Sequence, residues 1–142
     1  MLIGRSDSKI DEKGRISFPK KFRLELGDNL IITQGFEGSL IIIAKKQMNL
    51  LLEGTQGRPI TDKTARETER FLLGSAEEVI IDEKGRILIP DHLRKYAGLT
   101  AEVSFLGILR YVQVWNRQVW EEHNLKLVRE IVPITEKLKE AK

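Results

Sequence analysis

The residues best suited to chemistry lie in a charged heptapeptide, IDEKGRI, that occurs twice. It spans residues 10–16 and recurs without change at residues 81–87. Each copy offers an aspartate, a lysine and an arginine in a fixed order, with the arginine four residues after the aspartate. A guanidinium is a planar fork of donors that fits phosphate oxygens or the O6 and N7 atoms of guanine. The chemistry indicated is the binding of an anion or a nucleic acid.

Within each heptapeptide the aspartate can hold the arginine in one rotamer, which would reduce the entropy lost on binding. A lysine near the tip of each turn adds a positive charge. The alternative for each Asp–Arg pair is an ordinary surface salt bridge, which is worth about 0–1 kcal/mol. The candidate binding residues of the two turns are Asp11, Lys13, Arg15, Asp82, Lys84 and Arg86.

Further cations follow the first heptapeptide and make its surroundings more basic than those of the second. Residues 10–23 hold five cations against two acids, whereas residues 81–94 hold three of each. The candidates added from charge alone are Lys20, Lys21, Arg23 and Arg94. Where the first copy has two lysines, the second has Asp91 and His92. We therefore expect the two copies to bind unequally.

The heptapeptide belongs to a longer internal repeat. A shift of 71 residues aligns residues 10–49 with residues 81–120 without a gap, and eleven of the forty aligned positions are identical. Apolar positions vary among Ile, Leu, Val and Phe, as expected where only volume and pattern are constrained, but the polar turn does not vary. Recent duplication or chance could also preserve seven residues. A binding role for the turn is the preferred interpretation.

Each repeat predicts a strand, a turn, a second strand, a short helix and two further strands. Asp at the first turn position and Gly at the fourth predict a three-residue hairpin with a bulge, in which Gly takes a left-handed conformation. Pro19 and Pro90 can each begin a short helix, and Gly27 and Gly98 can end it. One repeat is too small for a large core, so we expect the two to interlock into one β-rich body.

The chain divides into four predicted segments. They are a first repeat (5–49), a helical connector (50–75), a second repeat (76–120) and a helical tail (121–142). Helices are also predicted over residues 45–53 and 61–74, and the tail is expected to break near Pro133 because proline lacks the N–H donor. The tail has an apolar stripe typical of a core or a subunit contact, formed by Trp120, Leu127 and Ile131.

Composition argues against several classes of protein. The chain has 142 residues, no cysteine and a formal net charge of +3. Its most apolar stretch, SLIIIA, is far shorter than the roughly 20 residues of a membrane helix, and the N-terminus lacks the apolar segment of a secretory signal. We expect a cytoplasmic protein with no membrane partner. His92 and His123 are isolated and no phosphate-binding glycine motif occurs, so we expect no enzyme activity, metal, cofactor or small-molecule substrate.

The two turns and their flanks closely resemble the MraZ family of the AbrB-like group of bacterial DNA-binding proteins. The resemblance rests on DEKGR at residues 11–15 and 82–86, on ISFP and KKFR after the first turn, and on Pro90 and Arg94. It covers nearly the whole chain, including its length, the tandem repeat and the opening MLIGRSDSKIDEKGRISFP. The signature Asp-x-x-x-Arg occurs in both copies.

The resemblance implies a mainly β fold with short helices, in which two internal repeats form an AbrB-like swapped-hairpin β-barrel. It implies a ring-shaped homo-oligomer, associated with the nucleoid, that regulates transcription. The implied partner is double-stranded DNA at repeated boxes upstream of the division and cell-wall gene cluster, including its own promoter. The residues that it implies in DNA binding are Asp11, Arg15, Asp82 and Arg86, with Lys13 and Lys84 beside them. It does not settle Lys20, Lys21, Arg23 or Arg94.

Two other kinds of binding protein compete with this interpretation. A protein-interaction module could use the basic turns to hold an acidic partner, and its binding would be salt-sensitive without preference among DNA sequences. RNA binding is disfavoured because aromatic stacking platforms are lacking near the turns, with Phe18 expected in the core. An enzyme is the least favoured alternative.

Overall fold

Antiparallel strands form the centre of the structure, a computed structural model that describes residues 1–140. The elements of the first half are β1 (Ile3–Lys9), β2 (Arg15–Ser17), α1 (Lys20–Leu26), β3 (Asn29–Gln34), β4 (Leu40–Ala44) and a 3₁₀ segment (Lys45–Leu52). Those of the second half are α2 (Lys63–Leu73), β5 (Glu77–Ile80), β6 (Arg86–Leu88), α3 (Asp91–Ala97), β7 (Glu102–Ile108), β8 (Val112–Asn116) and α4 (Arg117–Glu140).

Six strands form one sheet in the order β1-β7-β8-β4-β3-β5, and β2 and β6 form a separate two-stranded ribbon. The first strand of each repeat pairs with the third strand of the other, β1 with β7 and β5 with β3. The prediction that the repeats interlock is therefore confirmed, as is a mixed fold of antiparallel strands and helices. The strands of residues 1–140 do not close into a barrel, so the swapped-hairpin barrel is not confirmed in that detail.

The core lies between the sheet, the ribbon and the short helices α1 and α3. Each helix buries two side chains four residues apart, Phe22 and Leu26 in α1 and Leu93 and Ala97 in α3. Fully burying a side chain such as Phe22 contributes about 1.5–3 kcal/mol to stability. Gly27 and Gly98 end these helices, as predicted, and both have a positive φ. Because each helix follows the ribbon directly, this packing fixes where the ribbon lies.

The two heptapeptides form turns but not the hairpins that we expected. The Asp11 N–H donates to the Arg15 carbonyl over 2.9 Å and closes the first turn. Beyond this bond the flanking strands separate, since β1 pairs with β7 and β2 pairs with β6. The hairpin prediction is wrong because a strand from the other repeat takes each pairing position. Each turn therefore connects two different sheets.

Two of the helix predictions need correction. The segment Lys45–Leu52 is a 3₁₀ run interrupted at Gln47, with φ −103° and ψ 15°, and not a continuous helix. The tail does not break at Pro133, because α4 continues from Arg117 to Glu140 with this proline inside it. Helix α4 is exposed around Pro133, so water can satisfy the carbonyl that loses its N–H partner. Within residues 1–140, no helix combines the length and apolar character needed to cross a membrane.

The apolar stripe of α4 packs against the rest of the chain near the start of the helix. The indole of Trp120 lies 5.3 Å from that of Trp115, measured between ring centroids. Leu127 is half-buried, but Ile131 is 44% exposed. Further exposed apolar side chains of this helix are Leu125, Val128, Val132, Ile134 and Leu138. The second half of α4 thus presents apolar surface to solvent in the single chain.

Candidate nucleic-acid interface

The β2–β6 ribbon brings the two heptapeptides together. Ile16 lies opposite Ile87, and these equivalent positions of the two repeats mark a local pseudo-twofold axis. Both isoleucines are 1% exposed. Because side chains alternate along a strand, the neighbouring residues lie on the opposite face of the ribbon. We call that outer face the arginine face; its residues are Arg15, Ser17, Arg86 and Leu88.

Both arginines of the repeated motif therefore lie on one surface. Arg15 is opposite Leu88, and Arg86 is opposite Ser17. The two arginines are diagonal neighbours, a relation that typically separates residues by about 7–8 Å. The ribbon is held at each end by one more hydrogen bond, from Phe18 N–H to the Gly85 carbonyl (2.9 Å) and from Ile89 N–H to the Gly14 carbonyl (2.8 Å). Each strand is thereby tied to the turn of the other repeat.

In the first turn one carboxylate organises the backbone and the arginine. Oδ1 of Asp11 accepts from the N–H groups of Lys13 and Arg15, both at 2.9 Å, and Oδ2 accepts from Nε of Arg15 at 2.8 Å. The Gly14 N–H donates to the Asp11 carbonyl at 3.0 Å, and φ of Gly14 is +90°. The hydrogen bond from the Arg15 backbone N–H is the main reason why the pKa of Asp11 lies below its ordinary value.

The second turn repeats this arrangement. Asp82 accepts from the N–H groups of Lys84 and Arg86 at 2.9 Å each and from Nε of Arg86 at 3.2 Å. Its pKa is also lowered, chiefly by the hydrogen bond from the Arg86 backbone N–H. Gly85 has φ of +77°. The predicted contact between aspartate and arginine, and the predicted left-handed glycine, are confirmed in both turns.

The geometry leaves hydrogen-bond donors on each arginine for an outside partner. In both turns the aspartate contacts Nε, and neither terminal nitrogen of Arg15 or Arg86 makes a hydrogen bond to residues 1–140. Lys13 and Lys84 are exposed, and neither forms an ion pair within the described part of the chain. The arginine face and the two turns can therefore donate several charge-assisted hydrogen bonds to one anionic ligand.

The four candidates chosen from charge alone occupy two kinds of position. Lys20 and Lys21 begin α1, directly after the ribbon, and are exposed. Arg23 and Arg94 are half-buried, and each lies against the turn of the other repeat. The structure thus separates two exposed lysines from two arginines that lie beside the turns, of which Arg94 is the less exposed.

Two further residues of the arginine face, Ser17 and Leu88, were not selected as binding candidates. Strand alternation alone places them on the outer face beside Arg15 and Arg86. The position of each opposite an arginine depends on the pairing of β2 with β6. The signal that could have indicated this pairing is the repeat itself, since equivalent strands often meet at a pseudo-twofold axis.

Comparison with known proteins gives one consistent family. The family model described as "MraZ protein, putative antitoxin-like" matches residues 1–71 and again residues 72–137. A relative from Caldanaerobacter subterraneus subsp. tengcongensis is 40% identical over 124 residues, which is 87% of each chain. One from Clostridium tetani is 39% identical with the same coverage. One from Clostridium acetobutylicum is 36% identical over 140 residues, 99% of this chain and 98% of the relative.

All three relatives carry the name transcriptional regulator MraZ. The matches span nearly the whole chain and include both repeats with their turns. This chain therefore belongs to the MraZ family.

Proposed function

We propose that this chain is a transcriptional regulator that binds double-stranded DNA through the arginine face and its two flanking turns. The observation that carries the proposal is the convergence of Arg15 and Arg86 on one face of a two-stranded ribbon, each with Nε held by an aspartate. The major groove of B-DNA is about 12 Å wide and admits such a ribbon. Terminal guanidinium nitrogens held outward in this way can pair with the O6 and N7 atoms of guanine.

The proposed sites are the repeated boxes upstream of the division and cell-wall gene cluster, including the promoter of this protein's own gene. Family membership supports this proposal. A single ribbon makes few contacts, so a protein with several ribbons would gain affinity on repeated boxes through effective concentration. Such a regulator would act at the nucleoid in the cytoplasm.

Several ribbons require self-association, and we propose the ring-shaped homo-oligomer that the resemblance implies. The exposed apolar side chains of α4 support it, since large exposed apolar patches mark interaction sites. The exchange of first strands between the repeats supports the swapped-hairpin arrangement. Replacing Ile131 and Leu138 by Lys should weaken self-association and so reduce the oligomer mass measured by light scattering. An unchanged mass would exclude this surface.

The function is tested by the double variant Arg15→Ala/Arg86→Ala. Loss of two bidentate contacts, each worth about 1–3 kcal/mol of discrimination between bases, should weaken specific binding by at least roughly 30-fold in gel shifts. The fragments would be selected from the organism's own genome. Oligomer mass should not change, because both side chains lie on the outer face. Arg58→Ala is a control, since this exposed arginine pairs with Asp62 in the connector.

Normal affinity of the double variant would refute the assignment of the site. Competition with shuffled DNA distinguishes the alternative partner. If shuffled DNA competes as well as the selected fragment, binding is electrostatic only, as expected of a module that holds an acidic partner.

A further inference from the structure

Arg94 has the least exposed side chain of the four candidate arginines, since those of Arg86 and Arg23 are 30% and 41% exposed. Its side chain is 22% exposed, compared with 41% for Arg15. Nε donates to the Ile89 carbonyl at 3.0 Å, and Nη1 donates to the Glu12 carbonyl at 3.4 Å. Ile89 follows β6, and Glu12 is in the first turn. One guanidinium of the second repeat thus joins the end of the ribbon to the turn of the first repeat.

Gly14 allows this guanidinium to pack against the turn. A Cβ atom at this position would lie 2.7 Å from Nε of Arg94 and 2.8 Å from the Ile89 carbonyl oxygen. Both distances are shorter than van der Waals contact, so a side chain here would displace the arginine or the strand. The Ile89 N–H also donates to the Gly14 carbonyl at 2.8 Å. Two carbonyls of the first turn thus accept hydrogen bonds from the second repeat, Gly14 from the Ile89 N–H and Glu12 from Arg94.

We infer that Arg94 is a positioning residue for the first turn and that it does not contact DNA. By holding the Glu12 carbonyl it fixes the tip that carries Lys13 and orients Arg15. A guanidinium can donate to two carbonyls at once through a rigid fork, which the point charge of a lysine cannot reproduce. We call the two hydrogen bonds from Arg94 to the Ile89 and Glu12 carbonyls the brace. The effect of the brace on DNA binding rests on the proposed function, but the brace itself is a property of the free protein.

The equivalent residue of the first repeat, Arg23, does not make the same contacts. Its Nη1 lies 3.5 Å from the position of a Cβ on Gly85, and its Nε lies 3.7 Å from an Asp28 carboxylate oxygen. Among residues 1–140 its side chain makes no hydrogen bond to the backbone of the second turn, unlike the side chain of Arg94 at the first turn. Arg23 is therefore a matched control, with the same residue type at the equivalent position and without the brace.

The first measurement is amide hydrogen exchange on the full-length protein, comparing Arg94→Lys with Arg23→Lys. Arg94→Lys should speed exchange at residues 12–15 by roughly tenfold, the scale of hydrogen bonds to a charged group, and leave residues 83–86 unchanged. Arg23→Lys should change neither turn by a comparable factor. Exchange in β7 reports global stability and should stay constant. Unchanged exchange in the first turn of Arg94→Lys would overturn the inference.

The second measurement is DNA affinity as a function of salt for Arg94→Lys and Arg94→Gln. A positioning role predicts that both variants bind roughly tenfold more weakly, while the slope of log K against log salt is kept. A phosphate contact predicts that Lys restores affinity and that Gln lowers the slope by about 0.9. That second pattern would overturn the inference. If wild-type protein shows no preference for any DNA, the proposed function fails. The exchange experiment still tests whether Arg94 holds the first turn in the free protein.

Discussion

The two heptapeptides have identical sequences but different surroundings. Both turns fold alike, with an aspartate that accepts two backbone N–H groups and the arginine Nε. The first turn is braced by Arg94 of the second repeat and followed by two lysines, whereas Arg23 makes only a looser approach to the second turn. Seven residues therefore determine the shape of a turn, whereas the contacts that the other repeat makes with it differ between the two turns.

The strand that precedes the first turn is also paired over more residues than the strand that precedes the second. β1 pairs with β7 along its whole length, from Ile3 to Lys9. β5 is shorter, spanning Glu77–Ile80, and pairs with β3 over that length. The strand before the first turn is therefore paired over more residues than the strand before the second. The first turn also has the closer contact with an arginine of the other repeat. We expect the first turn to be the more ordered and the more sensitive to substitution.

The largest expected effect comes from Gly14→Ala compared with Gly85→Ala. At both positions alanine must take a positive φ, which costs about 1–2 kcal/mol. At Gly14 the methyl group also meets Arg94 and Ile89, and overpacking adds about 1–3 kcal/mol. Denaturant unfolding should show a loss of roughly 3 kcal/mol for Gly14→Ala and of about 1–2 kcal/mol for Gly85→Ala.

Gly38→Ala is the control for backbone strain alone, because φ is +79° and a Cβ there would meet nothing within 4 Å. Gly38→Ala should lose about as much free energy of unfolding as Gly85→Ala. Equal losses for Gly14→Ala and Gly85→Ala would mean that the two turns are not packed differently.

A smaller effect is expected from making the first repeat resemble the second. The double variant Lys20→Asp/Lys21→His copies the residues at positions 91 and 92. If each lysine neutralises one phosphate, the slope of log K against log salt should fall by about 2 in binding titrations. Stability should hardly change, since both side chains are exposed. An unaltered slope would show that the asymmetry of charge has no part in DNA binding.

Local features were predictable from sequence because they depend on neighbouring residues. The left-handed Gly14 and Gly85, the aspartate contacts and the helices α1 and α3 with their terminal glycines all follow from short-range rules. The pairing of β2 with β6 joins residues about 70 positions apart, and no local pattern specifies it. The hairpin prediction failed for the same reason.

The role of Arg94 depends on the same long-range pairing. Charge alone could not distinguish it from Lys20 or Lys21, since only the folded chain places its guanidinium against the carbonyl of Glu12. The continuity of α4 through Pro133 was missed for a different reason. A proline rule that holds for helix interiors is weaker where water can reach the freed carbonyl.

The smallest expected effect is the response of the two turns to acid. The pKa values of Asp11 and Asp82 are lower in the folded chain than the ordinary value of about 3.9. A carboxylate with a lowered pKa stabilises the fold above its unfolded-state pKa, and this contribution is lost as the pH falls through the folded-state value. Both turns should therefore keep their order at neutral pH and loosen only below about pH 4.

The brace predicts which turn loosens first. The bonds from Arg94 to the Ile89 and Glu12 carbonyls involve no carboxylate, so they persist when Asp11 is protonated. The second turn depends more heavily on Asp82, whose distance to Nε of Arg86 is already the longer at 3.2 Å. Below about pH 4, amide exchange measured by NMR should therefore increase more at Arg86 than at Arg15. The reverse order would imply that the carboxylate, and not the arginine of the other repeat, holds the first turn in place.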